Sequence, residues 1–139
     1  MRWLVILMSI PACQAGRWEK LQPSGSTPSV QYDHILTPVW AGDAMLVFSG
    51  HSTDSLWKYK PGEVGSWEQL QLSGSAPSRR SGHTAVWSGE MLIFGGTGSN
   101  GDLNDLWKYN AGGWVQLHPS GSAPSARHGH TAVWAGNAM

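Results

Sequence analysis

The stretch Trp67-Glu-Gln-Leu-Gln-Leu-Ser-Gly-Ser-Ala-Pro-Ser-Arg-Arg-Ser-Gly-His-Thr-Ala-Val-Trp87 returns as Trp114-Val-Gln-Leu-His-Pro-Ser-Gly-Ser-Ala-Pro-Ser-Ala-Arg-His-Gly-His-Thr-Ala-Val-Trp134. A worn copy opens at Trp18 with Trp-Glu-Lys-Leu-Gln-Pro-Ser-Gly-Ser-Thr-Pro-Ser. The opening tryptophans stand 49 residues apart (67 minus 18) and then 47 apart (114 minus 67). Such a period marks one supersecondary unit stacked on copies of itself, because a single unit cannot bury its own apolar face. The repeat therefore sets the architecture, and it places any site on loops that vary between copies.

Within repeat 2, four short runs have strand character. His83-Thr-Ala-Val-Trp87 is β-branched and aromatic, and Met91-Leu-Ile-Phe94 is an unbroken apolar run of strand length. Leu106-Trp-Lys-Tyr109 and Trp114-Val-Gln-Leu117 alternate large apolar and polar side chains, as half-buried strands do. Ser88-Gly89 predicts a tight hairpin for the first pair, and Asn110-Ala-Gly-Gly113 joins the last pair. A polar loop over residues 95–105 separates the second run from the third, and Ser73-Gly-Ser-Ala-Pro-Ser78 links one unit to the next. No window holds a helical period. Four antiparallel strands at this spacing make an all-β chain of β-propeller blades.

The pattern resembles the kelch repeat family. The resemblance rests on the glycine pair Gly95-Gly96 closing an apolar strand, on Trp107 and Tyr109, and on Trp114 opening the last strand. Pro77 and the leader Arg80-Ser-Gly-His83 also match, and repeat 3 supplies Pro124, Arg127, Gly129 and His130. The resemblance spans residues 16–139. It implies that the strand before the glycine pair lies deep in its blade and that tryptophans pack between blades. It also implies that the leader and the loop after the glycine pair help form the mouths of a central channel.

Repeat 1 departs from this pattern. Its leader and inner strand, Gln31-Tyr-Asp-His-Ile-Leu-Thr-Pro-Val-Trp40, is two residues longer than its counterpart and has no arginine. Ser49-Gly50 replaces the glycine pair, and the long loop shrinks to residues 51–55. Pro38 predicts a bulge or a broken strand. By count, residues 18–21 give one outer strand, two whole blades follow, and residues 130–134 give one further inner strand. Propellers close with roughly four to eight blades, so the reading is an incomplete propeller of about two full blades plus partial ones. It is either part of a longer protein, the favoured alternative, or a protomer whose copies assemble into a ring. Unclosed blade edges would invite self-association.

Residues 1–15 combine one positive charge, a short apolar run and the small residues Ala12 and Ala15, the order of a secretory signal. The alternatives are the end of a preceding blade or a non-native start. The signal reading places the protein outside the cell, and the others place it in the cytoplasm. The one cysteine, Cys13, lies in this segment, so the repeats hold neither a disulfide nor a thiolate metal site. No stretch is long and apolar enough to span a membrane. Acidic and basic residues balance at nine each, which leaves no basic face for nucleic acid.

Several motifs suggest chemistry. Gly96-Thr-Gly-Ser-Asn-Gly101 has the spacing of a dinucleotide turn, but a strand follows where that motif needs a helix, so no cofactor is expected. Asn100, Asp102, Asn104 and Asp105 are oxygen donors whose spacing does not fit a helix-flanked calcium loop, and they suit turns better. His128-Gly-His130 could pair on a metal. His130, however, repeats His83, so its expected role is structural, a side-chain hydrogen bond tying the leader to the inner strand. Arg80 and Arg127 recur, which suits arginines bound to backbone carbonyls; Arg79 varies and is the better contact residue.

Two functional classes follow. The leading one is a binding module that presents residues 79–81, 97–104 and 126–128 to a protein or glycan partner. Its candidate contact residues are Arg79, Arg80, Ser99, Asn100, Asp102, Arg127 and His128, with no catalytic residue, metal or cofactor. The rival is the propeller of a protein similar to galactose oxidase, whose copper site uses tyrosine, histidine and a cysteine linked to tyrosine. The repeats hold no cysteine, and Tyr59 and Tyr109 occupy equivalent positions.

Overall fold

A computed structural model of the chain describes residues 20–28, 36–49, 55–72, 74–111, 113–136 and 139. The expectations for residues 1–15 and for positions 31–35 and 51–54 of repeat 1 lie outside these residues.

Two four-stranded antiparallel sheets form the body. Blade 1 is a meander of β1 (Thr37–Trp40), β2 (Met45–Ser49), β3 (Ser55–Lys60) and β4 (Ser66–Leu70). Blade 2 comprises β5 (Thr84–Trp87), β6 (Met91–Phe94), β9 (Leu106–Asn110) and β10 (Gly113–Leu117), in the spatial order β10-β9-β6-β5. Between β6 and β9 sits a small hairpin of β7 (Thr97–Gly98) and β8 (Gly101–Asp102). The four runs predicted in repeat 2 are thus β5, β6, β9 and β10, and the polar loop carries a hairpin that the sequence did not announce.

The pairings align the two blades residue by residue. Phe48 faces Thr37 and Leu56, as Phe94 faces Thr84 and Leu106. Leu36 therefore corresponds to His83, and Ser55 to Asp105. Alternate side chains of a strand point to opposite faces, so each blade has two apolar faces. Val39, Leu46, Phe48 and Leu56 of blade 1 meet Met91, Ile93, Trp107 and Trp114 of blade 2 in one buried cluster. This is the inter-blade core, and the tryptophans of blade 2 pack in it as the resemblance implied. Phe48 lies at its centre, edge-on to Trp114 with ring centroids 5.5 Å apart. Met45, Val47, Trp57 and Tyr59 form a second cluster on the opposite face of blade 1.

Three expectations are corrected. Pro38 neither breaks nor bulges β1, which pairs with β2 without interruption. The Ala41 N–H donates to the Ala44 carbonyl at 2.7 Å, and alternation from that bonded pair puts Pro38 opposite Val47 at a non-hydrogen-bonded position. On this edge strand the missing N–H points away from the ladder, where proline is tolerated. Lys20 and Leu21 are not in a strand; instead Ser24 makes a parallel bridge to Ser66, with Trp67 N–H donating to the Ser24 carbonyl at 2.9 Å. Residues 130–134 are likewise not a strand, although His130 and Thr131 line the same cavity as the starts of β1 and β5.

Candidate functional site

The start of an inner strand and the end of its antiparallel neighbour share one end of a blade. The leader before β5 therefore reaches the loop that follows β6. Ser81 and Thr97 exchange backbone hydrogen bonds at 3.0 and 2.8 Å, joining the leader to the β7–β8 hairpin. The leader of repeat 3 joins from the other side. Gly96 N–H donates to the Arg127 carbonyl at 2.9 Å, Arg127 N–H to the Leu103 carbonyl at 3.0 Å, and Gly129 N–H to the Gly82 carbonyl at 2.9 Å. Residues 79–82, 95–105 and 126–129 thus form one backbone-bonded surface.

The glycine pair makes this approach feasible. Gly95 and Gly96 have φ of +64° and +97°, where side chains are disfavoured. A Cβ on Gly96 would lie 2.9 Å from the Ser81 carbonyl oxygen, and one on Gly95 2.7 Å from that of Arg127. The Gly-x-Gly-x-x-Gly spacing belongs to this close approach and to the hairpin.

The candidate residues divide sharply. Arg80 is buried at 3 % exposure. Its Nε donates to the Ser78 carbonyl at 2.9 Å and Nη1 to the Gly95 carbonyl at 3.1 Å. Nη1 and Nη2 grip both carboxylate oxygens of Asp105, the latter at 2.8 Å, and Nη2 also meets Ser78 Oγ at 3.1 Å. Burial alone would raise the Asp105 carboxyl. The hydrogen bonds from Arg80 and from Trp107 Nε1, with the Arg80 charge, outweigh burial and hold it below the usual carboxylate range. Arg80 and Asp105 together fasten leader, glycine pair and third strand. Sequence reasoning offered backbone carbonyls for Arg80 but took Asp105 for a turn residue.

Arg79, Ser99, Asn100, Asp102, Arg127 and His128 are all exposed on the joined surface. Ser99 and Asn100 form the hairpin tip. Asp102 Oδ1 lies 2.7 Å from His128 Nδ1, so the hairpin and the third leader also meet through side chains. Arg127 Nε and Nη2 donate to the Ser125 carbonyl and Oγ at 2.9 and 3.0 Å. Asp102 is thus engaged by His128, and Asp105 by Arg80. Among the described residues, no group of three His, Cys, Asp or Glu side chains could hold a metal ion.

The two repeated histidines behave differently from each other. His83 lies edge-on to Phe48, and His130 edge-on to Phe94, each with centroids 5.5 Å apart. Each leader therefore plants an imidazole on the preceding blade. Both ring nitrogens of His83 are buried without a hydrogen-bond partner among the described residues. Burial, helped by the charges of Arg80 and His130, pushes His83 down to about 4, so it sits there as a neutral wedge. His130 Nε2 does reach Thr84 Oγ1 at 2.9 Å, and burial with the nearby Arg127 and His128 lowers its pKa as well. The equivalent Tyr59 and Tyr109 each pack against the tryptophan that opens the fourth strand, with centroids 5.1 and 5.2 Å from Trp67 and Trp114.

Against known proteins, a family model described as the KLHDC2/KLHL20/DRC7 Kelch-repeats domain matches residues 7–139. No curated protein matches the chain.

Proposed function

The chain belongs to the Kelch-repeat family, and on that premise we propose that it is a protein-binding scaffold whose contact surface is the joined cluster of residues 79–82, 95–105 and 126–129. The observation that carries this reading is the contrast between a rigid base and a free rim. The base is stitched by backbone hydrogen bonds and by the buried Arg80–Asp105 pair, so the rim is preorganised and loses little freedom on binding. The rim presents Arg79, Ser99, Asn100 and Arg127 outward. Arginine is favoured at interface hot spots, and glycine-rich small polar loops adapt their hydrogen bonding to a partner. Recognition would rest on shape and hydrogen-bond complementarity.

The test is a comparison of protein partners captured by the chain and by Arg79→Ala/Asn100→Ala, with Lys60→Ala as the control. Lys60 pairs with Glu68 at an exposed site on blade 1, away from the rim. Partner capture should fall at least tenfold (roughly one strong hot spot) in the rim variant and stay unchanged in the control. Equal capture by all three proteins, each with the same circular dichroism, would defeat the proposal.

A further inference from the structure

The chain has four asparagines, at 100, 104, 110 and 137, and of these Asn100 alone is followed by glycine. That order carries its own chemistry. The side-chain carbonyl carbon of an asparagine lies within reach of the next residue's backbone nitrogen, and bonding between the two closes a five-membered imide. A side chain on the following residue crowds the approach, and glycine has none. At Gly101 the φ is +111°, and the space that a Cβ would take has no atom of another residue within 4 Å.

The fold leaves this dipeptide the freedom that ring closure needs. Ser99 and Asn100 form the exposed tip of the β7–β8 hairpin, whose ladder has two residue pairs, Thr97 with Asp102 and Gly98 with Gly101. The ladders within the blades have four or five pairs each, so the tip opens at far lower cost than any of them. The base of the hairpin stays fastened through Ser81 to Thr97 and through Leu103 to Gly96. Asn104 and Asn110 lack this combination. Asn104 precedes Asp105, whose carboxylate is held by Arg80 and Trp107. Asn110 precedes Ala111 and is itself paired with Gly113 in the β9–β10 ladder.

We propose that Asn100 is a self-modification site, where attack of the Gly101 backbone nitrogen on the Asn100 side-chain carbonyl converts the amide to aspartate and isoaspartate at the tip of the contact rim. In the first step the Gly101 nitrogen bonds to Cγ, and the side-chain nitrogen leaves as ammonia with the proton from that N–H. In the second, water opens the ring at one of its two carbonyls, a carboxylate forms, and its proton passes to the ammonia. Opening at the side-chain carbonyl restores the normal main chain with aspartate. Opening at the backbone carbonyl gives isoaspartate, and the main chain then runs through the former side chain, one carbon longer. Either product replaces an amide that donates and accepts hydrogen bonds with a carboxylate that only accepts. The inference rests on the rim being a binding surface. There, conversion withdraws two donors from a partner and adds a negative charge two residues from Asp102, while the buried Arg80–Asp105 base is untouched.

The test is to age the full chain in mildly alkaline buffer and to map the amide-to-acid mass gain by peptide mass spectrometry. Methyl transfer by an isoaspartate-specific methyltransferase reports the rearranged product. Asn100 should convert roughly tenfold faster than Asn104 or Asn110, with isoaspartate among the products and circular dichroism unchanged. Asn100→Gln, which would have to close a six-membered ring, should remove most of the methyl acceptance. Equal rates at the three asparagines, or methyl acceptance that survives Asn100→Gln in full, would overturn the proposal. An aged chain that captures partners as well as the fresh one, while Arg79→Ala/Asn100→Ala has lost them, would also overturn it and leave the scaffold reading standing. Conversion at Asn100 with capture unchanged in both the aged chain and that variant would sink the scaffold reading and uphold the modification site.

Discussion

Blade 1 and blade 2 share a strand order and a register but are fastened by different means. Blade 2 has the Arg80–Asp105 pair, the His83 wedge and a hairpin after its second strand. In blade 1, Leu36 stands where His83 stands and Ser55 where Asp105 stands, and its leader has no arginine. The sheets nevertheless superpose in pairing: Thr37 with Phe48 and Thr84 with Phe94, Val47 with Trp57 and Ile93 with Trp107. The ladder is therefore determined by the alternating apolar strands, which are similar in the two repeats. The leaders adjust how one blade is joined to the next. Leu36 and Ser55 in place of His83 and Asp105 leave the sheet register intact, because register depends on which face is buried.

The largest way to break this comparison lies in the inter-blade core. Trp114→Ala should cost about 4–5 kcal/mol in urea unfolding, because a buried indole edge-on to Phe48 is replaced by a cavity. The equivalent Trp67→Ala, half-buried and on the other face of blade 1, should cost about 2 kcal/mol. Equal losses would erase the distinction between the two faces. Next comes the pair itself. Arg80→Ala should cost about 4 kcal/mol, since it strands the Asp105 carboxylate in a partly buried position. The double change Arg80→Leu/Asp105→Ser, which removes both charges and gives blade 2 the serine of blade 1, should recover more than half of that loss. Failure to recover would mean that the arginine itself, rather than a satisfied junction, is required.

The wedge gives a pH signature. His83 titrates near 4 in the folded chain, below its ordinary 6.5, so the unfolded chain binds the extra proton between these values. Stability is then complete above about pH 6.5 and declines as pH falls towards 4, by about 3 kcal/mol for that shift. His83→Leu, the blade 1 residue, should flatten this dependence. An unchanged slope would assign acid sensitivity elsewhere. The smallest effect belongs to the rim: His128→Ala removes an exposed contact to Asp102 and should cost about 0.5 kcal/mol or less in thermal unfolding.

The elements legible in the sequence were those with strong local signals. β6 is an apolar run that stays buried on both faces, and β9 and β10 each bury a tryptophan on an otherwise partly exposed strand. What escaped depends on relations between distant residues. Proline in β1 is harmless only because of a bonding parity that the Gly42-Asp43 turn sets. Residues 130–134 copy β5 almost letter for letter, yet no described segment stands beside them as β6 stands beside β5, and a strand needs its ladder partner. Most of the candidate rim was visible as loops that differ between copies. The role of Arg80 was half visible. Its carboxylate partner could have been found by noticing that repeat 2 has an arginine in its leader and an aspartate directly before its third strand, where repeat 1 has no leader arginine and has Ser55.

The backbone bonds from residues 127 and 129 back to residues 82, 96 and 103 have a practical consequence for anyone rebuilding this chain. The unit that recurs in sequence, opening at a tryptophan, is out of phase with the unit that coheres in space. Residues 126–130 follow Trp114 in the third copy, but they are attached to the second. A chimera spliced at the opening tryptophan would separate a leader from the blade that holds it. A splice within the turn at Ser88-Gly89 would instead keep residues 126–130 with the loop that binds them, at the cost of parting Arg80 from Asp105.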